Sequence, residues 1–447
     1  MKTLIFFLLA LTLNACSGLP LNDSSSSEAS LDSLRADIAQ FLETSDAKVE
    51  ETLINKLRAE KTSHADVKRI LKEPFAIREG VPGLHSQKTL KANEKEYTYA
   101  LFAPEPATEE QTFPMIVVLH GMGGSGPNTL PAWVERLNKQ YIIVSPSYPM
   151  GAWWSKNAEE MVMKLIRETA AEYPVDFNRI FIAGLSNGAI GAYMMGMFYP
   201  DLFAGVVPIA GSITPRYMHF LVNLNHTPVY MIQGKYDPMF PIALSRRVYQ
   251  ILSDMKYPAV YREHEEKGSA HGGHFMPESE VAPLVAWMSQ QKRSPNPNTI
   301  RMTREANHMA PIHWAQLSRG NQLAALQIPG PEQEKVNLRD GKIGTLFALF
   351  KGDNLIEVMG KNVVECELYL SEDMIDFDKP VIVTRQTIED SNNQLIPGPK
   401  LPGYHQRARK DIGVLLRHFK ERRDPELLYD AKINVSWEES VGFAQRQ

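Results

Sequence analysis

The sequence predicts an α/β protein, a doubly wound and mostly parallel sheet, followed by a β-sandwich-like domain. Three observations carry that expectation. Short apolar runs at 114–119, 141–145, 180–183, 204–209 and 228–233 alternate with helical patterns, as a sheet covered on both faces requires. One run, Arg179-Ile180-Phe181-Ile182-Ala183, drops straight into Gly184-Leu185-Ser186-Asn187-Gly188 and a small-residue helical stretch, the order strand, sharp turn, helix. Beyond Ser294-Pro295-Asn296-Pro297-Asn298, which reads as a linker, the pattern changes to short strands with polar turns.

A chain of 447 residues is longer than one typical domain. Its formal net charge of -4 gives no reason to expect a nucleic-acid partner. With only Cys16 and Cys366, neither a disulfide framework nor a cysteine metal site is available. Met1-Lys2-Thr3 and the apolar run Leu4 to Leu13 have the order of a secretory signal and are too short to span a bilayer. Leu13-Asn14-Ala15-Cys16 then resembles a bacterial lipoprotein signal, which implies a signal peptide over 1–15, lipidation of Cys16 and a place in the cell envelope, with the membrane held through the anchor. Ser17 after the cysteine resembles the outer-membrane sorting pattern. Residues 16–30, serine-rich at Ser24 to Ser27, read as a flexible tether. Leu31, Leu34, Ile38, Phe41 and Leu42, then Val49, Leu53 and Leu57, recur at helical spacing and place helices within an N-terminal segment over 31–87.

The catalytic domain is expected over 88–292. Tyr97 to Ala103 reads as a strand and Pro114 to Leu119 as a buried parallel one, which runs into His120-Gly121-Met122-Gly123-Gly124-Ser125. That glycine loop meets neither the Walker nor the Rossmann spacing. Paired with the turn at Ser186, it reads as half of an oxyanion hole. The backbone N–H of Met122 or Gly123 would join that of Asn187, and His120 would shape the loop. Trp153 and Trp154, in the loop before a helix at 157–173, either line a substrate pocket or plug the core, and burial decides between them. Asp237 follows the strand 228–233 and precedes a helix starting near Pro241, so it is a helix cap or the acid of a triad. After a last strand at 258–264, His271-Gly272-Gly273-His274 offers two candidates for the base, and His274 is favoured because it lies nearer the helix beginning around Glu278. The pair His271 and His274 lacks the helix and glutamate of a zinc protease, so no metal is expected.

With the glycine loop, elbow, late aspartate and late histidine in this order, the chain resembles the α/β-hydrolase superfamily over about 88–292. The run Asp176-Phe177-Asn178-Arg179-Ile180 and Tyr199-Pro200-Asp201-Leu202-Phe203-Ala204 resemble the branch of esterase D, polyhydroxybutyrate depolymerases, feruloyl esterases and related peptidases. Ala189 departs from the second glycine common there. The resemblance implies an acyl-enzyme mechanism with Ser186 as nucleophile, His274, in its Gly-Gly-His setting, as base and Asp237 orienting it. It implies no cofactor. The expected partner is a small-molecule or polysaccharide-linked ester, with peptide cleavage and a non-catalytic binding lipoprotein as the other readings.

The C-terminal domain, 299–447, is expected to carry strands at 313–318, 323–328, 355–359, 365–370 and 381–385. Arg407, Arg409, Lys410, Arg417, Lys420, Arg422 and Arg423 read as the solvated face of a helix. Cys366 reads as a small buried apolar residue.

Overall fold

The computed structural model describes residues 24–73, 80–92, 94–268, 271–324, 342–391 and 394–438. The expected signal peptide, Cys16 and residues 325–328 of the strand expected at 323–328 lie outside them. The chain forms two compact units that divide at Ile70 and Leu71. In the first, α1 (Ser24–Glu43), α2 (Ala47–Ala59) and α3 (His64–Lys72, which runs across the division) follow one another. α1 begins at Ser24, so residues 24–30 are helical where a tether was expected. Asp46 caps α2 by accepting from the Lys48 N–H at 2.8 Å. The anticipated Ile38, Phe41, Leu42, Leu53 and Leu57 are the buried positions of α1 and α2, together with Ile54.

The second unit opens with β1 (Gly83–Ala92), β2 (Lys95–Ala103), β3 (Phe113–Leu119), α4 (Gly126–Arg136), β4 (Ile142–Pro146), α5 (Lys156–Glu172) and β5 (Val175–Leu185). It continues through α6 (Asn187–Phe198), β6 (Gly205–Ile209), β7 (Val229–Gly234), α7 (Ile242–Asp254), β8 (Ala259–His264) and α8 (Val281–Gln290). The sheet order is β1-β2-β4-β3-β5-β6-β7-β8, antiparallel at β1–β2 and β2–β4 and parallel from β4 onward. This is the α/β-hydrolase fold. Alternate residues of β3 and β5 face opposite ways. Val117 and Ile182 join a core with Met161, Leu165 and Tyr193 of α5 and α6, whereas Val118 and Ala183 join one with Trp133 of α4 and Met288 of α8. Covering both faces is what makes these strands near-continuous apolar runs.

The C-terminal part comprises β9 (Thr299–Arg304), β10 (Ala315–Gly320), β11 (Gly344–Gly352), β12 (Leu355–Lys361), β13 (Val363–Leu370), β14 (Pro380–Ser391), β15 (Gln394–Pro397), β16 (Leu401–Arg407), α9 (Ile412–Arg422) and β17 (Ala431–Ser436). A sheet β10-β13-β17 faces a larger one, β15-β14-β12-β11-β9 with β16 also on β14, and one apolar cluster joins them through Leu317, Leu346, Val358, Cys366 and Val435. The sandwich is therefore present. Leu323, expected to open a strand, makes only an isolated bridge to Lys342.

The seam between hydrolase core and sandwich is polar and buried, and it corrects two expectations. The linker at 294–298 is clamped: Trp314 donates Nε1–H to the Pro297 carbonyl at 2.7 Å, and Tyr429 donates to Asn296 at 3.1 Å. Arg422 is not on a solvated face. Its side chain is 7% exposed and pairs with Asp201, whose carboxyl stays near about 2 because the penalty of burial is outweighed by that guanidinium. Arg417, by contrast, is exposed as expected. Arg293 forks onto Asp424 at 2.5 and 3.2 Å. Arg304, fully buried, donates to the Phe198 carbonyl at the end of α6 at 3.3 Å, where a cation suits the helix dipole.

Candidate active site

Ser186 stands between β5 and α6 with φ 60° and ψ -119°, a conformation that side chains rarely adopt. The flanking glycines explain how the turn fits. A Cβ on Gly184 would lie 2.0 Å from the Gly188 carbonyl oxygen, and one on Gly188 would lie 2.1 Å from that of Leu119. The methyl at Ala189 is accommodated across the turn by a glycine: a Cβ on Gly211 would meet it at 2.7 Å. Ser186 anchors its own N–H on the Ile209 carbonyl at 2.9 Å.

The glycine loop after β3 lies against the serine, since a Cβ on Gly121 would be 3.2 Å from Ser186 Cβ. The loop closes through Gly124 N–H to the Gly121 carbonyl at 3.1 Å, with Gly123 at φ +74°. Asn187 is the first residue of α6, so its N–H has no acceptor within the helix. His120 is buried and shapes the loop as expected. Its Nδ1–H donates to the Gly121 carbonyl at 2.7 Å, Nε2 accepts from the Tyr148 N–H at 3.1 Å, and burial lowers its pKa, so it is neutral.

Asp237 and His274 come together at the same edge of the sheet, past the ends of β7 and β8. His274 Nδ1–H donates to Asp237 Oδ2 at 2.9 Å, whereas His271 is exposed. The Asp237 side chain is 0% exposed and fully satisfied. Oδ1 accepts from the Met239 and Phe240 N–H groups at 2.8 and 3.0 Å, and Oδ2 from Gln233 Nε2 at 2.9 Å besides the histidine. It thus closes a local turn as well as holding the imidazole, while the cap position of α7 belongs to Pro241. Gly272, in the double glycine before His274, has φ +57° and a Cβ on it would lie 2.6 Å from the Tyr236 carbonyl oxygen; a Cβ on Gly234 would strike the Gly273 carbonyl oxygen at 2.1 Å, so the loop rests on the end of β7. Phe240 lies parallel to the His274 ring, 5.9 Å between centroids.

Gln233 was not singled out by the sequence. It ends an apolar strand, and its role shows only through its two contacts, Asp237 and the Ser245 hydroxyl at 3.1 Å. Trp153 is a correction. It does not line an open pocket; it is 2% exposed, packs in the core and donates Nε1–H to the His120 carbonyl at 2.7 Å. Trp154 is half-buried against the same core. No cluster of metal-ligating side chains is found among the described residues.

A sequence family described as phospholipase/carboxylesterase matches residues 152–287, a stretch that encloses Ser186, Asp237 and His274. Feruloyl esterase B of Neurospora crassa is 26% identical over 138 residues, 27% of this chain and 44% of the relative. The probable acetylxylan esterase A of Aspergillus niger is 27% identical over 112 residues, 22% and 37% of the two chains. The chain thus spans less than half the length of these curated relatives. A solved thermostable esterase overlaps 46% of this chain and 63% of its own with 25% identity and a TM-score of 0.40.

Proposed function

We propose that this chain is a serine hydrolase of carboxylic esters acting through an acyl-enzyme. The observation that carries the reading is the fully satisfied Asp237 carboxylate with His274 Nδ1–H upon it. That bond fixes the tautomer, so the Nε2 lone pair is left to take the Ser186 proton as Oγ attacks the ester carbonyl. The imidazolium that forms is stabilised by Asp237 and then protonates the departing alcohol; water, activated by the same nitrogen, releases the acid. Met122 and Asn187 N–H groups receive the tetrahedral oxyanion, where one donor is worth on the order of 3 kcal/mol. The relatives' names favour an acyl or feruloyl ester carried by a small molecule or a polysaccharide. The N-terminal sequence supports, as part of the same proposal, secretion and a lipid anchor on Cys16 in the cell envelope. Incorporation of labelled palmitate that disappears in Cys16→Ala is the expected result for the anchor.

Hydrolysis of p-nitrophenyl acyl esters and methyl ferulate tests the activity, alongside Ser186→Ala. Turnover that vanishes with the hydroxyl supports the reading. Peptide cleavage with no ester turnover, or ester turnover that survives in Ser186→Ala, overturns it.

A further inference from the structure

The sandwich meets the hydrolase core through ionised groups, and one of them leads back to the oxyanion loop. His308 lies between β9 and β10 with its side chain 6% exposed. Both ring nitrogens face carboxylates, Nδ1 at 2.5 Å from Glu305 Oε1 and Nε2 at 2.7 Å from Glu159 Oε2. A neutral imidazole has one N–H, so two ionised carboxylates are both hydrogen-bonded only by the imidazolium. Its face stacks on Phe198, the last residue of α6, with 3.5 Å between centroids and 4° between planes. The second Glu159 oxygen accepts from Tyr199 OH at 2.6 Å and Lys156 Nζ at 2.5 Å.

Glu159 belongs to the first turn of α5, and direct contacts continue from there. Its N–H bonds the Ser155 carbonyl at 3.0 Å, and Ser155 Oγ, which caps α5, lies 2.9 Å from Tyr148 OH. Tyr148 donates its N–H to His120 Nε2, and Trp153 donates to the His120 carbonyl, so His120 is held by this segment while it holds Gly121. The segment 148–155 is also wedged in place. A Cβ on Gly191 of α6 would strike Trp153 Cβ at 2.4 Å, and one on Gly151 would lie 3.2 Å from the Gly121 oxygen. Loop and helix fix its flank, and the start of α5 fixes its end.

We propose that His308 is a positioning residue for ester hydrolysis: by clamping Glu159 at the start of α5 it holds segment 148–155, and through Tyr148, Trp153 and His120 it keeps the oxyanion-loop donors in register with Ser186. Its kinetic consequence rests on the hydrolase reading; its structural consequence does not. The charged and titratable groups around His308 are Glu159 and Lys156 from α5, Tyr199 after α6, Glu305 and Arg304 from its own segment, and, from the 3-10 helix Pro215–Leu224, Tyr217 and His219, which feel the Glu305 charge, with Arg216 beside them.

The test compares the full chain with His308→Gln, Glu159→Gln and Tyr148→Phe, reading p-nitrophenyl acetate kinetics and amide hydrogen exchange over 119–124 and 148–155 well below the unfolding temperature. His308→Gln and Glu159→Gln are expected to lower kcat on the order of tenfold with KM within about twofold, because small misplacement of a donor costs rate and not ground-state binding. Exchange over both segments is expected to quicken. Tyr148→Phe cuts the same chain of contacts without touching the buried charges, so it keeps the test alive if a His308 variant fails to fold; a smaller kcat loss with the same exchange pattern is expected. A lowered melting temperature with kcat and exchange over both segments unchanged overturns the proposal. If the wild-type protein shows no Ser186-dependent turnover, the hydrolase reading falls, and exchange alone then decides the positioning role: quickening supports it and no change overturns it.

Discussion

Two histidines of this chain sit against buried carboxylates. At the sheet edge His274 gives Nδ1–H to Asp237, and among the described residues no carboxylate pairs with its Nε2; 12% of its side chain is exposed. At the seam His308 spends both nitrogens, one on Glu159 and one on Glu305, and is stacked under Phe198. The first arrangement can take up a proton and return it. The second is complete as it stands, since each of its two N–H groups is committed to a carboxylate. A short histidine–carboxylate distance therefore does not identify an acid–base catalyst; a nitrogen left over for the reacting group does.

The largest effects should separate the two pairs most sharply. His274→Gln is expected to lower kcat for ester hydrolysis by about 10⁴ or more, and Asp237→Asn by roughly 10³ to 10⁴, because the amide no longer selects the tautomer that leaves Nε2 free. His274→Gln should alter the melting temperature little, whereas Asp237→Asn sets an amide nitrogen against donors that a buried carboxylate now serves and should lower it. Next comes the seam itself. Arg293→Met strands Asp424 in a buried setting, and breaking such a pair costs about 3–5 kcal/mol, read as a lower urea midpoint, while kcat of the folded fraction is retained. A large kcat loss there, with stability unchanged, would reverse the assignment of roles.

Why one pair was legible in the sequence and the other was not follows from how each is specified. The sheet-edge site is built at the ends of parallel strands of one sheet, so chain order alone puts Ser186 before Asp237 before His274, and the glycines at 184, 188 and 234 mark backbone crossings that tolerate no Cβ. The seam joins positions far apart in the chain: Glu159 with His308, Asp201 with Arg422, Arg293 with Asp424. Nothing local distinguishes these residues from solvated charges, so Arg422 read as a surface cation, and Trp153 stayed open between pocket and core until burial was known. Strand β9 escaped notice for a related reason, since Thr299, Arg301, Thr303 and Arg304 give it little apolar signal, and its polar side chains are used against the hydrolase core.

A smaller effect sharpens the comparison from within the sheet-edge pair. Gln233→Leu keeps the volume and removes one of the four donors on Asp237, a hydrogen bond to a charged group worth about 1.5–3 kcal/mol. Part of that loss should reach the transition state, giving a kcat roughly tenfold lower. Loss of stability with an unchanged kcat would mean that Gln233 serves Ser245 and the packing of α7 alone.

The smallest effect concerns pH and stability at the seam. Burial works against the charged form of His308, but its bonds to Glu159 and Glu305 outweigh it and raise the pKa above the ordinary value near 6.5. A group held protonated in this way contributes fully below about 6.5, and the contribution is lost as pH rises through the folded value. Glu159, whose burial is outweighed by His308, Lys156 and Tyr199 so that it titrates near about 2, contributes above about 4.3 and loses that only as pH falls towards 2. Burial holds His418 near about 3 and His313 and His219 near about 4, so these destabilise the fold as pH falls below about 6.5, where the unfolded chain takes up protons that they refuse. The acid side of the stability curve therefore belongs to several groups, and the alkaline side carries the signature of His308. Urea midpoints measured from pH 6 to 9 should fall with pH in the wild-type protein and stay flatter in His308→Gln, so that the gap between the two narrows as pH rises. A gap that stays constant would mean that His308 is held as a neutral imidazole, and the distinction between its sealed arrangement and the open one at His274 would then have to rest on geometry without charge.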